Sequence, residues 1–214
     1  MANMNLSTHP VALVVGAGDY LGSAIAKRFS EGGLRVAASR RRGNFTNLVR
    51  SIKDSGGEAV GYHSDARNEN EVIDLIQSVE SQLGPIDVCV YNVGGNVNSP
   101  ILETTSRVYR KVWEMCAFGG FLVGKEVLKY MLPRKRGTIL FTGASASIRG
   151  KSGYAAFSGG KQALRALAQS LAREMGPKGI HISHVIIDGL IKNENARELF
   201  PIEFQSRPKD GILQ

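Results

Sequence analysis

The stretch Val11-Ala-Leu-Val-Val-Gly-Ala-Gly-Asp-Tyr-Leu-Gly22 limits what this chain can fold into more than any other. Five apolar residues run into three glycines, and Ser23-Ala-Ile-Ala-Lys-Arg-Phe29 then shows helical periodicity. The pattern predicts strand, tight turn and helix. Glycine at 16, 18 and 22 lets the backbone turn sharply and lets a ligand approach with no Cβ in the way. The N–H groups at the helix start, around Tyr20, Leu21 and Gly22, favour an anion, and a pyrophosphate is the natural occupant. An ordinary βα turn has the same outline, so the rest of the chain must decide between the two.

The downstream pattern repeats the alternation. Leu34–Ser39 reads as a second strand, and a helix carrying Phe45, Leu48, Val49 and Ile52 follows until Gly56-Gly57. Where a dinucleotide fold places a carboxylate for the adenosine ribose of NAD, this chain has Ser39-Arg40-Arg41-Arg42. An arginine there suits the 2′-phosphate of NADP instead, through its planar fork of donors. Glu58–His63 forms a third strand ending at Asp65, and the pair Asn68 and Glu71 caps a helix with Val72, Ile76, Val79 and Leu83 on one face. Ile86–Asn92 is a fourth strand that breaks into Val93-Gly94-Gly95, a second glycine turn at a carboxyl end where open parallel sheets bind ligands. A helical pattern spans Glu103 to about Met131, Gly137–Thr142 is a fifth strand, and a small polar loop covers Gly143–Gly153. A helix over Tyr154–Met175, a strand over Ile180–Ile187 and a turn at Asp188-Gly189 complete the pattern.

A length of 214 residues with 43% hydrophobic content fits one α/β domain spanning 1–214. The start, Met1 to Pro10, is polar and lacks the apolar core of a signal peptide, so a soluble, cytoplasmic protein without membrane attachment is expected. Cys89 and Cys116 lie in apolar surroundings without a CxxC or histidine cluster, which predicts reduced, packed thiols and no metal site. His181 and His184, three apart on a strand, point to opposite faces. The excess of 27 Lys and Arg over 19 Asp and Glu raises nucleic-acid binding as a possibility. The basic residues fall in separate groups with no aromatic interleaving, so no nucleic-acid partner is expected.

Taken together these residues resemble the short-chain dehydrogenase/reductase superfamily, over nearly the whole chain. The matching features, in order, are the glycine turn of residues 16–22, the basic end of the second strand, Asp65, the Asn92-Val93-Gly94 turn, and the block Gly153–Leu164 leading into Gly179-Ile-His-Ile. The resemblance implies a Rossmann-type doubly wound parallel sheet, a nicotinamide cofactor, and hydride transfer to or from a small carbonyl or alcohol substrate. It also implies cofactor contacts from Gly16, Gly18, Tyr20, Leu21, Gly22, Ser39, Arg40, Arg41, Asp65, Ala66, Asn92, Val93, Gly94 and Lys161, with NADP(H) preferred over NAD(H).

The family's chemistry uses a Tyr four residues before a Lys, a Ser thirteen residues before that Tyr, and an Asn on the preceding long helix. Here Lys161 is present, but Phe157, Ala144 and Cys116 stand at the other three positions. Phenylalanine and alanine have no proton to give. Tyr154, seven residues before Lys161, and Ser145, next to the vacant serine position, are the substitute candidates beside Lys161 for the catalytic set; Ser147 also flanks that position. On a helix Tyr154 would lean away from the lysine, unless the chain before Phe157 is still loop. Two readings remain open: an NADP(H)-dependent oxidoreductase with an atypical proton donor, and a nucleotide-binding regulatory protein that has lost turnover. The resemblance further implies a homodimer or homotetramer through the helices at about 103–131 and 154–175. The family's seventh strand is not expected in this sequence, so six strands are: either the sixth lies at an exposed edge or an oligomer contact, or the chain is a truncated form of a longer polypeptide.

Overall fold

A computed structural model describes residues 10–191 and the short strand Ile212–Leu213. The expectations that concern the polar start at 1–9 and the tail at 192–211 lie outside the described residues.

Six parallel strands make the main sheet: β1 (Val11–Val15), β2 (Arg35–Arg40), β3 (Ala59–His63), β4 (Ile86–Tyr91), β5 (Gly137–Ala144) and β6 (Ile180–Ile187). Their spatial order is β3-β2-β1-β4-β5-β6, so the winding reverses between β1 and β4 and opens a crevice at the carboxyl ends of the strands. The connecting helices are α1 (Leu21–Glu31), α2 (Thr46–Asp54), α3 (Glu69–Gln82), α4 (Ser106–Trp113), α5 (Gly119–Arg134) and α6 (Ala155–Met175). This is the doubly wound α/β fold expected from the sequence, with six strands in the main sheet. A separate parallel pair, β7 (Leu190–Ile191) and β8 (Ile212–Leu213), follows β6 without joining that sheet.

The sheet is buried on both faces, which is why β1 reads as unbroken apolar sequence rather than as alternation. Val11, Leu13 and Val15 pack with residues of α3, α5 and α6, whereas Val14 packs with Ala26 of α1 and Leu48 and Ile52 of α2. Truncating a residue such as Leu13 at the centre would cost about 2–5 kcal/mol through lost burial and the cavity left behind. Asn68 caps α3 as its spacing predicts: its side chain accepts the N–H groups of Asn70 and Glu71.

The helical pattern from Glu103 resolves into more than one element. Thr105 is extended and its side chain accepts the Val108 N–H at 3.2 Å, so α4 starts at Ser106 rather than at Glu103. Between α4 and α5 lies a wider π-helical turn, Glu114–Phe118, which carries Cys116. No helix among the described residues is long and apolar enough to cross a membrane.

Candidate active site and nucleotide groove

The β1–α1 turn is held by backbone geometry. Gly16 has φ +92°, and a Cβ there would fall 2.4 Å from the Asn92 carbonyl oxygen, so only glycine fits. Its N–H and that of Ala17 both donate to the Ser39 carbonyl, at 2.8 and 2.9 Å. A Cβ at Gly18 would meet nothing within 4 Å, so the turn stands open there beside the head of α1. Gly22, in contrast, is a packing residue: a Cβ on it would strike the Gly16 carbonyl.

Asn92 ties the strand ends together. Its Nδ2 donates to the Gly16 carbonyl at 3.0 Å, its backbone N–H to the Val15 carbonyl at 2.7 Å, and its Oδ1 accepts from Thr142 Oγ1 at 3.0 Å. Residues 92–94 then form a wall common to two cavities. The larger, about 630 Å³, runs past Leu21, Ala144, Ser145, Tyr154, Phe157 and Lys161. The second, about 370 Å³, is bounded by Gly16, Gly18, Ala66, Asp65 and the arginines 40, 41, 42 and 67.

In the second cavity each arginine has a distinct setting. Arg40 Nη1 pairs with Asp19 at 2.7 Å, and its guanidinium lies 5.0 Å over the Phe45 ring. Arg41 stands 3.7 Å from Asp65 and is about half exposed. Asp65 itself pairs with Arg67 at 2.5 Å. That side-chain hydrogen bond, with charge from Arg67 and Arg41, outweighs burial and holds the Asp65 carboxyl down to about 2. Arg67 and Asp19 escaped the sequence reading, although Asp-x-Arg at 65–67 is a local pair visible in the chain. Ser39 accepts both N–H groups of the β1–α1 turn through its carbonyl. It is fully buried and lines neither cavity, because β2 continues through Arg40 and carries the basic residues one position further out. Tyr20 and Gly22 also line neither cavity: Tyr20 sits exposed before α1 and Gly22 is packed beneath the turn.

In the larger cavity Lys161 is 5% exposed, and its Nζ donates to the carbonyls of Thr142 at 2.8 Å and Val93 at 3.4 Å. Burial lowers its pKa, with nearby Cys116 opposing. The aromatic neighbour of this ammonium is Phe157, with the ring centre 5.9 Å from Nζ. Tyr154 lies just before α6 rather than on it, so the helical-lean argument against it does not apply; its hydroxyl accepts from Asn98 Nδ2 at 3.3 Å. Ser145 Oγ donates to Asp188 at 2.5 Å, so its proton is directed at a carboxylate that the sequence reading had treated only as a turn residue. Ser147 is buried and accepts the Ala144 N–H. Cys116 is fully buried against Val112 and Ala156, and burial pushes its thiol pKa up.

The comparisons with known proteins agree with this architecture. The family model described as short chain dehydrogenase matches residues 10–201. A short-chain dehydrogenase from Rhodopseudomonas palustris is 45% identical, over 95% of this chain and 96% of that one, with a TM-score of 0.80. An actinorhodin polyketide ketoreductase solved with NADPH is 28% identical, over 94% of this chain and 79% of its own, with a TM-score of 0.85. A xylitol dehydrogenase bound to NAD+ is 28% identical, over 89% and 74%, with a TM-score of 0.83. With its glycine turn, its strand order and this match over most of its length, the chain belongs to the short-chain dehydrogenase family of oxidoreductases.

Proposed function

We propose that this chain, acting as a single nucleotide-binding domain, binds NADP(H) in preference to NAD(H) and transfers a hydride to or from a small carbonyl or alcohol substrate with an atypical proton supply. The observation that carries this reading is the continuity of the groove: residues 92–94 wall both cavities, with arginines at one end and buried Lys161 at the other. The residues present fit a dinucleotide. Gly16, Gly18 and Leu21 would seat the pyrophosphate, where the turn is open and the helix start attracts anions. Arg40 or Arg41, with Arg42 beside them in the same cavity wall, would take the 2′-phosphate, and Asp65 and Ala66 bound the adenosine side. Lys161 would hydrogen-bond the nicotinamide ribose with the donor its two carbonyl acceptors leave over. When bound, the nicotinamide supplies or accepts the hydride.

A second reading, a nucleotide-binding regulatory protein without turnover, draws on Phe157, Ala144 and Cys116. Fluorescence titration with NADPH and NADH, followed by NADPH oxidation with a panel of carbonyl compounds, separates them. Binding with turnover supports the enzyme, binding alone the regulator, and failure to bind either nucleotide defeats both. We further place the protein in the cytoplasm as a homodimer or homotetramer, with no nucleic-acid or membrane partner.

A further inference from the structure

Among the described residues the wall of the larger cavity carries three cations, Arg149, Lys151 and Lys161, and no carboxylate. Lys161 is engaged by backbone acceptors, whereas the two on the loop before α6 are paired weakly or not at all among the described residues. Arg149 reaches Asp188 only at 4.0 Å, the longest ion pair among the described residues, and the other Asp188 oxygen is taken by Ser145. Lys151 has no carboxylate partner among the described residues, and its ammonium lies 5.3 Å from the centre of the Tyr154 ring. The same side of the cavity meets the start of α6, a helix of 21 residues whose first turn has neither an acidic residue nor a side-chain cap. Its leading amides therefore add positive partial charge that no side-chain cap or first-turn carboxylate of α6 offsets. Ser158, at the end of that turn, lines the cavity, is 5% exposed, and has an Oγ with no hydrogen-bond partner.

We infer that the substrate carries an oxyanion group, carboxylate or phosphate, held at the cavity mouth by Arg149 and Lys151 beside the start of α6. The inference deepens the hydride-transfer reading and rests on it for the word substrate. A planar guanidinium and a mobile ammonium together suit either oxyanion. A low-dielectric cleft lined by one sign of charge concentrates ligands of the other.

Matched pairs that differ only in the anion test this: levulinate against methyl levulinate, and dihydroxyacetone phosphate against dihydroxyacetone. Calorimetric binding of each to the protein, with and without NADP+, needs no turnover. At least one charged member should bind tenfold or more tighter than its neutral partner. That preference should shrink with added salt and be lost in Arg149→Gln plus Lys151→Gln, while the remote variant Lys53→Gln keeps it. The stronger of the two charged probes distinguishes carboxylate from phosphate. Equal affinity within both pairs, no binding of any probe, or a preference untouched by the double variant overturns the inference. Failure of the hydride-transfer reading looks different: the charged preference persists, yet NADPH neither binds nor is oxidised in the presence of any probe.

Discussion

The Lys161 ammonium donates to the Thr142 carbonyl at 2.8 Å and lies beside the ring of Phe157, whose centre is 5.9 Å away. A buried cation is thus held ready next to a side chain that has no proton to transfer.

Ordinary carbonyl substrates should therefore be reduced slowly even when NADPH binds, because a positioned general acid contributes about 10²–10⁴-fold. Phe157→Tyr with Ala144→Ser should raise turnover of a reactive diketone towards that range. Lys161 already supplies the nearby positive charge that lowers a phenol's pKa. Steady-state NADPH oxidation reads the effect, and Tyr154→Phe is the control. If that control alone abolishes a robust wild-type activity, Tyr154 is the proton donor and Phe157 is not a gap.

Nucleotide preference follows from the second cavity. NADPH should bind about tenfold or more tighter than NADH, the value of a charge-assisted contact of about 1.5–3 kcal/mol. Arg40→Ala plus Arg41→Ala should remove most of the difference. The structure adds an asymmetry: Arg40 is paired with Asp19 and stacked on Phe45, whereas Arg41 is more exposed. Arg41→Ala should cost affinity with only a small fall in the urea midpoint, through its 3.7 Å pair with Asp65, and Arg40→Ala should lower the midpoint further. Equal affinities for the two nucleotides in fluorescence titrations would contradict the assignment.

What could be read from the chain was whatever periodicity and glycine encode. The six strands, the β1–α1 turn and the residues 92–94 wall all announce themselves locally, because apolar runs and turn glycines have one physical use each in this setting. Partners across the fold do not. Nothing in the sequence joins Ser145 to Asp188, 43 residues on, or Tyr154 to Asn98, whereas Phe157 and Lys161, four apart on one helix, are neighbours by spacing alone. The burial of Ser39 at the end of β2 was likewise not legible, because its residue type says nothing of how far the strand runs. The π-helical turn at Cys116 left no composition signal at all.

Assembly should use the face of α4 and α5. Trp113 and Phe121 are each about two-fifths exposed and are linked by Phe118, stacked on both at 6.0 and 6.3 Å. Exposed aromatics in one row exceed what a monomer normally leaves to water. Light scattering at micromolar concentration should report a dimer or tetramer, and Trp113→Glu with Phe121→Glu should shift it to monomer. A wild type that is strictly monomeric would refute the interface.

Acid should weaken the arginine-rich end of the groove in a defined window. Asp65 is held down to about 2 by its hydrogen bond to Arg67, with Arg41 adding charge. An unfolded aspartate titrates near pH ~3.9. The folded carboxyl therefore binds its proton less readily, so its stabilising contribution is full above pH ~3.9 and is lost as the pH falls towards 2. Asp65→Asn should lower the urea midpoint at pH 6, and the gap to wild type should close between about pH 4 and pH 2. Arg67→Gln should show the same closing gap, because it removes the other half of the pair. A gap that stays constant down to pH 2 in either variant would mean that the Asp65–Arg67 pair does not set that carboxyl's titration.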